Sequence, residues 1–246
     1  MARNALHMLA TETGAELVQS YRAPEFVLPT LALPTAFYLF FGILMSRGPD
    51  AAAYLLSTYG VFAVMGPALF GFGVGVANER ERGWLELKRA APAPASTFIG
   101  AKLGATLAFA AMALVPIYLA AGLLGEVTLP RLTWLGLFAV HLSAVLPFAL
   151  IGLAIGFRFG ANGAVAIANI VFLGLAVLGG LWFPATLFPD WMLIVSRALP
   201  SYHLAEIALA VSQDDGSRPV WMHTAVVAVM TLGVSGLAAW AWARQR

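Results

Sequence analysis

Polar and apolar positions in this chain separate into long blocks instead of alternating. Six stretches of more than twenty residues carry no charged side chain: Phe26–Ser46, Ala51–Asn78, Leu103–Gly125, Leu132–Phe157, Phe159–Pro189 and Pro219–Ala243. A hydrocarbon core roughly 30 Å thick is crossed by about 20 apolar residues in a helix. Backbone polar groups cannot stay unpaired in lipid, so each stretch must be helical. The blocks predict an all-α polytopic membrane protein with six transmembrane helices, at about 26–46, 54–78, 98–124, 134–157, 164–183 and 220–243.

The segments between and within the blocks add detail. From Asn4 to Tyr21, the residues Leu6, Leu9, Thr13, Leu17 and Tyr21 recur at spacings of three or four, and Glu12, Glu16 and Gln19 fall elsewhere. That pattern makes residues 1–25 a cytoplasmic segment built on an interfacial amphipathic helix, with its acids away from the apolar face. The same acids, with Glu25, rule against a cleavable signal peptide. Pro29 and Pro34 predict a kink in the first span. Gly71-x-Gly73-x-Gly75 predicts a glycine-lined face on the second. Gly179-Gly180 at the end of the fifth span predicts close approach of paired helices. Residues 184–210 stay apolar although prolines break them, which predicts two short helices, about 191–198 and 201–210, dipping into the membrane.

Charge placement orients the chain. Only 11% of residues are charged, and mean hydropathy is +0.84. With the N-terminus inside, Arg3, Arg22, Arg80, Arg82, Lys88, Arg89, Lys102, Arg158, Arg244 and Arg246 lie inside, and Arg47, Arg131, Arg197 and Arg218 outside. Ten basic residues against four predict cytoplasmic N- and C-termini. The net charge of +2 is too small to suggest a nucleic-acid partner.

Asn78–Lys102 breaks the apolar pattern most sharply. It holds Arg80, Arg82, Lys88, Arg89 and Lys102 together with Glu79, Glu81 and Glu86. A two-sided helix is expected from Gly83 to Ala91, with Trp84, Leu87 and Ala91 on one face and Glu86 and Arg89 elsewhere, ended by Pro92 and Pro94. A purely solvated loop has no need of Trp84, Leu85 and Leu87 among its charges, so this segment (79–97) is expected to dock a soluble partner.

Most catalytic and self-powered classes find no support. The chain has no cysteine, which excludes disulfides, iron–sulfur clusters and thiol catalysis. It has no GxxxxGK[ST] or HExxH, and His7, His141, His203 and His223 lack metal-site spacing. No acid or base is expected at mid-membrane depth, which disfavours an ion-coupled carrier. A transport protein lacking these parts must draw its energy from a partner.

The segment Glu79-Arg80-Glu81-Arg82-Gly83-Trp84-Leu85-Glu86-Leu87-Lys88-Arg89-Ala90-Ala91-Pro92, followed by Gly100-Ala101-Lys102, resembles the E-[RK]-E-x-G-[TS]-x-E-x-L-x-x-[ST]-P loop of ABC-2 type transporter permeases. Trp84 and Ala91 stand where that pattern has small hydroxyl residues, and Leu87 comes one residue after Glu86 instead of two. Gly179-Gly180-Leu181-Trp182-Phe183-Pro184 and Leu199-Pro200-Ser201-Tyr202-His203-Leu204 resemble the outer stretches of antibiotic and drug exporter permeases in that family.

The resemblance implies a membrane subunit that is not itself an enzyme and binds no cofactor or metal. ATP and Mg would belong to a separate ABC ATPase subunit, in two copies, beneath two permease copies forming a homodimer in the bacterial cytoplasmic (inner) membrane, in contact with membrane lipid. Glu79, Glu81, Gly83, Trp84, Glu86, Leu87 and Arg89 would couple to the ATPase. Pro184, Pro200, Tyr202 and His203 would belong to a re-entrant outer region. Phe37, Phe40, Phe70 and Phe72 are candidate lining of the path, with Trp182 and Phe183 as an outer gate. The apolar spans imply export of a hydrophobic, amphiphilic or lipid-like substrate. Export of a polysaccharide or glycolipid, a non-transporting scaffold or immunity protein, and an intramembrane lipid enzyme are the competing readings.

Overall fold

A computed structural model describes residues 2–46, 48–84, 87, 95–213 and 218–243. Among them there are helices and turns and no strand. Six helical segments are long and apolar enough to cross a membrane: Val27–Leu44, Pro49–Glu81, Thr97–Leu123, Arg131–Arg158, Ala161–Leu178 and Val220–Ala243. They are called spans 1 to 6. An N-terminal helix, α1 (Ala2–Tyr21), precedes them, and two shorter helices, α2 (Asp190–Ser196) and α3 (Pro200–Ser212), lie between spans 5 and 6.

Span 2 is the centre of the bundle. In its most apolar window 83% of residues are buried, against 28% in spans 1 and 5 and 11% in span 6. Spans 1, 5 and 6 therefore turn most of their surface outward, to lipid or to another chain. α3 is unusual for a connecting helix, because Ser201, His203, Leu204, Ala205, Ile207, Ala208 and Leu209 are all buried. It packs between span 2, the first half of span 4 and span 6.

Three spans depart from regular α-helix. Span 1 runs as α-helix through Pro29 and Pro34 and leaves α-helical bonding only afterwards, at a π-helical stretch from Tyr38 to Leu44. Span 2 has a second π-helical stretch, Pro67–Val74. Span 4 breaks at Ala144 between helices Arg131–Ser143 and Val145–Arg158. Pro147 has no N–H to give the Ser143 carbonyl, so the ladder is interrupted there. Span 5 stops at Leu178, short of the expected 183: Gly180 takes φ +73 and the Leu181 amide donates back to the Ala176 carbonyl at 3.0 Å, a left-handed helix stop that favours glycine.

The three glycines of Gly71-x-Gly73-x-Gly75 do not share one face. Residues two apart on a helix point to nearly opposite sides. Gly73 meets the backbone of Gly152 in span 4, Gly75 lies beside Lys102, and Gly71 lines a cavity. Gly179 likewise faces inward, against Ser201 of α3 and the Leu175 carbonyl. It closes the span onto its own connecting helix, which removes the geometric reason for expecting paired helices at Gly179-Gly180.

Candidate functional site

The end of the bundle holding Arg22, Arg80, Arg82, Lys102 and Arg158 is here called the basic end. Span 2 ends there in Glu79-Arg80-Glu81, and each of these side chains is tied to a different neighbour. The Glu79 carboxylate accepts from Lys102 Nζ of span 3 at 2.7 Å, and the same ammonium donates to Glu16 of α1 at 2.7 Å. All three side chains are buried. Arg80 donates from Nη1 to the Phe157 carbonyl and from Nη2 to the Phe159 carbonyl at 2.7 Å. Glu81 accepts from the Ala161 amide at 2.8 Å.

Glu16 corrects one expectation. It was expected on the face of α1 turned away from its apolar residues, yet it is 7% exposed and paired. Leu9 and Thr13, two members of the expected apolar face, come up against Gly100 and Gly104 of span 3, so α1 lies along the start of that span. Tyr21, expected on the same face, is exposed. The missing signal was Lys102: two carboxylates and an ammonium can share a buried site only when their hydrogen bonds are made. Glu79 and Lys102 lie near the ends of spans 2 and 3.

Beyond Glu81 the chain turns at Gly83, which has φ +71 and follows Arg82, whose amide closes back on Asn78 at 3.1 Å. Only glycine takes that conformation without strain. Past this turn Trp84 is 45% and Leu87 71% exposed. Glu86 and Arg89 lie outside the described residues. Of the expected partner-contacting residues, Trp84 and Leu87 thus present apolar surface, whereas Glu79 is turned into the bundle and Glu81 is engaged at the start of span 5.

A cavity of about 700 Å³ opens among α1 and spans 1, 2, 3 and 5. Its polar floor includes Glu16, Gln19, Asn78, Glu79 and Lys102, and its apolar walls include Leu33, Phe62, Phe70 and Phe172. Asn78 and Phe62 are sixteen positions apart on span 2, at most roughly 24 Å at the α-helical rise of 1.5 Å per residue and less across the π-helical stretch Pro67–Val74. Of the candidate path residues on spans 1 and 2, Phe70 borders this cavity. Phe72 is buried in the core and Phe40 is 48% exposed, and neither reaches it. Phe62, Phe172 and the exposed Asn169 of span 5 were not foreseen. Phe62 and Phe172 lack a sequence signal of their own, but Asn169 is a carboxamide in the middle of an apolar span and could have been noticed.

Above the cavity an aromatic cluster closes the bundle. Phe62 stacks on Phe37 with ring centroids 6.1 Å apart, and Trp182 meets both edge-on at 5.6 and 5.2 Å. Phe183 reaches the same cluster through Phe41 at 6.4 Å. Trp182 Nε1 is buried with no hydrogen-bond partner among the described residues. Edge-to-face ring pairs add about 0.5–1.5 kcal/mol each beyond the area that they bury.

At the opposite end two imidazoles are paired. His203 donates from Nε2 to the Arg197 carbonyl at 2.9 Å, which leaves its Nδ1 to accept from His223 Nδ1–H at 2.8 Å. Tyr202 lies against both rings, and burial, with the Glu206 carboxylate nearby, pushes its phenol pKa up. Pro200 supplies the first turn of α3, and Pro184 precedes the short helical turn Ala185–Leu187. His141 is fully buried in the bundle: the Tyr118 hydroxyl donates to Nδ1 and Nε2–H donates to the Ser57 carbonyl, each at 2.9 Å. Among the described residues no group of three His, Asp or Glu side chains is placed to hold a metal.

Two comparisons bear on this arrangement. A family model described as "ABC-2 family transporter protein" matches residues 44–240. The chain is also similar to the putative transport permease YvfS of Bacillus subtilis (strain 168), 29% identical over 227 residues that cover 90% of this chain and 91% of that protein.

Proposed function

The chain belongs to the ABC-2 family of transporter proteins, and from that membership we propose that it is the membrane subunit of an ATP-driven exporter of amphiphilic or lipid-like molecules. The family implies a permease that works with a separate ABC ATPase in a membrane; this chain is the non-catalytic partner. The observation that carries the finer reading is the cavity. Its charged side chains and the Gln19 and Asn78 amides gather at the basic end, Asn169 borders it midway along span 5, and aromatic rings close it roughly 20–24 Å further along span 2. Such a chamber suits a molecule with a polar head and an apolar body.

In this reading the basic end faces the cytoplasm, in keeping with the ten-to-four division of basic residues. The ATPase docks on the segment that begins at Gly83 and exposes Trp84 and Leu87. α1 lies at the inner membrane surface, and α2 and α3 enter the outer leaflet. A second copy packs against the outward faces of spans 1 and 5 and closes the open side of the cavity, where Asn169 is exposed on span 5. Closure of the ATPase pair would move the ends of span 2 and of α1 together, since Lys102 binds both. Trp182, Phe37 and Phe62 form the outer seal.

The test is reconstitution with a cognate ABC ATPase in liposomes, following a dye-labelled single-chain amphiphile. ATP-dependent movement is expected with the native chain, and its loss together with loss of ATPase binding when Trp84 and Leu87 are both replaced by Asp. Undiminished binding and transport in that variant would remove the docking role.

A further inference from the structure

We propose that Arg80 and Glu81 are positioning residues that fasten the turn between spans 4 and 5 to the end of span 2, so that a push on the docking segment reaches three spans as one unit. The proposal rests on reading that segment as the ATPase dock, and it adds what lies between the dock and the transport path.

Spans 4 and 5 are joined by only two residues, Phe159 and Gly160, between Arg158 and Ala161. The last carbonyls of a helix and the first amides of the next have no partners within their own helices. Here both are served by adjacent side chains of one neighbour. The Arg80 guanidinium bridges the carbonyls of Phe157 and Phe159, and Glu81 takes the Ala161 amide. The charges also match the helix dipoles, with a cation at the end of span 4 and a carboxylate at the start of span 5.

Gly160 fits this junction closely. A Cβ added there would stand 2.5 Å from Glu81 Oε1 and 3.7 Å from its Cδ, with no other non-neighbouring atom of the described residues within 4 Å. An alanine at 160 would therefore evict only the end of a flexible carboxylate and leave the backbone in place. The planar fork of arginine reaches two carbonyls at once, which the point charge of lysine does less well. Two residues beyond Glu81 comes the Gly83 turn that leads to Trp84 and Leu87. On the other side, span 2 carries Phe62 and Phe70 and span 5 carries Asn169 and Phe172, all bordering the cavity, with the Phe172 ring against Phe62 at 5.1 Å and against Phe70 at 5.6 Å. The junction thus joins the dock to both of these walls.

The experiment uses the full permease–ATPase complex in liposomes, with Arg80→Gln, Arg80→Lys and Gly160→Ala beside the native chain. Each variant is checked for thermal midpoint, ATPase binding, ATP hydrolysis and transport of the dye-labelled amphiphile. Arg80→Gln and Gly160→Ala are expected to bind the ATPase and hydrolyse ATP within twofold of native, while transport falls at least tenfold. Arg80→Lys is expected to recover less than half of the native rate. Native transport per ATP in both Arg80→Gln and Gly160→Ala would overturn the proposal. Loss of ATPase binding in Arg80→Gln would also overturn it, by making Arg80 part of the dock. Absence of ATP-dependent transport in the native complex would overturn the exporter reading and this proposal with it, and is told apart because it needs no substitution.

Discussion

Gly73 of span 2 and Gly152 of span 4 meet backbone to backbone: a Cβ on Gly73 would overlap the Cα, carbonyl carbon and oxygen of Gly152. Gly156, one turn further along span 4, stands against the Gly73 carbonyl in the same way. The two halves of this seam belong to the most buried span and to the helix that continues into the Arg80-bridged turn. Small residues at helix crossings let backbones approach closely, and packing of this kind drives helix association in lipid.

Gly73→Ala should therefore force spans 2 and 4 apart. Overpacking usually costs about 1–3 kcal/mol, and a clash with backbone belongs at or above the top of that range. Gly233→Ala in span 6 is the control, since among the described residues nothing lies within 4 Å of its added Cβ and alanine suits a helix better by roughly 0.5–1 kcal/mol. Thermal unfolding in detergent should show a lowered midpoint for the first and none for the second. Equal midpoints would mean that the seam has slack.

Lys102 is the counter-ion on which α1 depends. Lys102→Met leaves Glu16 and Glu79 buried without their shared ammonium, and breaking a buried ion pair by removing one partner costs about 3–5 kcal/mol. Limited proteolysis should then cut α1 sooner than in the native chain, with the six spans still inserted. The triple replacement of Glu16 by Gln, Glu79 by Gln and Lys102 by Met should recover much of the loss, because no charge is left to bury. A triple variant as unstable as Lys102→Met would refute the charge argument.

The six spans were legible in the sequence because lipid imposes a coarse rule: a charge-free run long enough to cross must be a helix. The Gly152-Leu153-Ala154-Ile155-Gly156 spacing of four was equally open to view, and points to the seam better than Gly71-x-Gly73-x-Gly75 does. Facing within a span was harder to read. Phe62, Phe70 and Phe72 share one span and all pack against the core, but only Phe62 and Phe70 also border the cavity. The π-helical stretch Pro67–Val74 changes the turn angle between Phe62 and the other two, so a regular helical count does not give their facing. Glu16 misled for another reason. Its partner Lys102 lies 86 positions away, and no local pattern reveals that a carboxylate is satisfied at such a distance. Glu79 looked like an exposed contact for the same reason.

Orientation can be read directly in this cysteine-free chain. A cysteine in place of Leu87, which is 71% exposed beyond the basic end of span 2, should react with an impermeant maleimide only after the cells are opened. One in place of Gln213, at the end of α3, should react in intact cells. Labelling in the reverse order would place the dock outside and end the case for a cytoplasmic ATPase.

The position of a second copy is testable on span 5. If the dimer axis runs beside this span, the residues that matter are those facing away from the chain's own core. Among the described residues nothing lies within 4 Å of a Cβ added to Gly174, whereas Gly179 is filled by Ser201 and the Leu175 carbonyl. Asn169 is exposed on the same span and borders the cavity, and a carboxamide at that depth is better placed toward a polar chamber or a partner than toward lipid tails. Single cysteines at Asn169 and Gly174 should therefore give permease–permease crosslinks under mild oxidation in native membranes, more strongly with ATP-bound partner present than without. Gly179→Cys should give none. If neither Asn169 nor Gly174 crosslinks while cysteines on the outward face of span 6 do, the axis lies beside span 6, and the open side of the cavity is closed by lipid instead of a second copy.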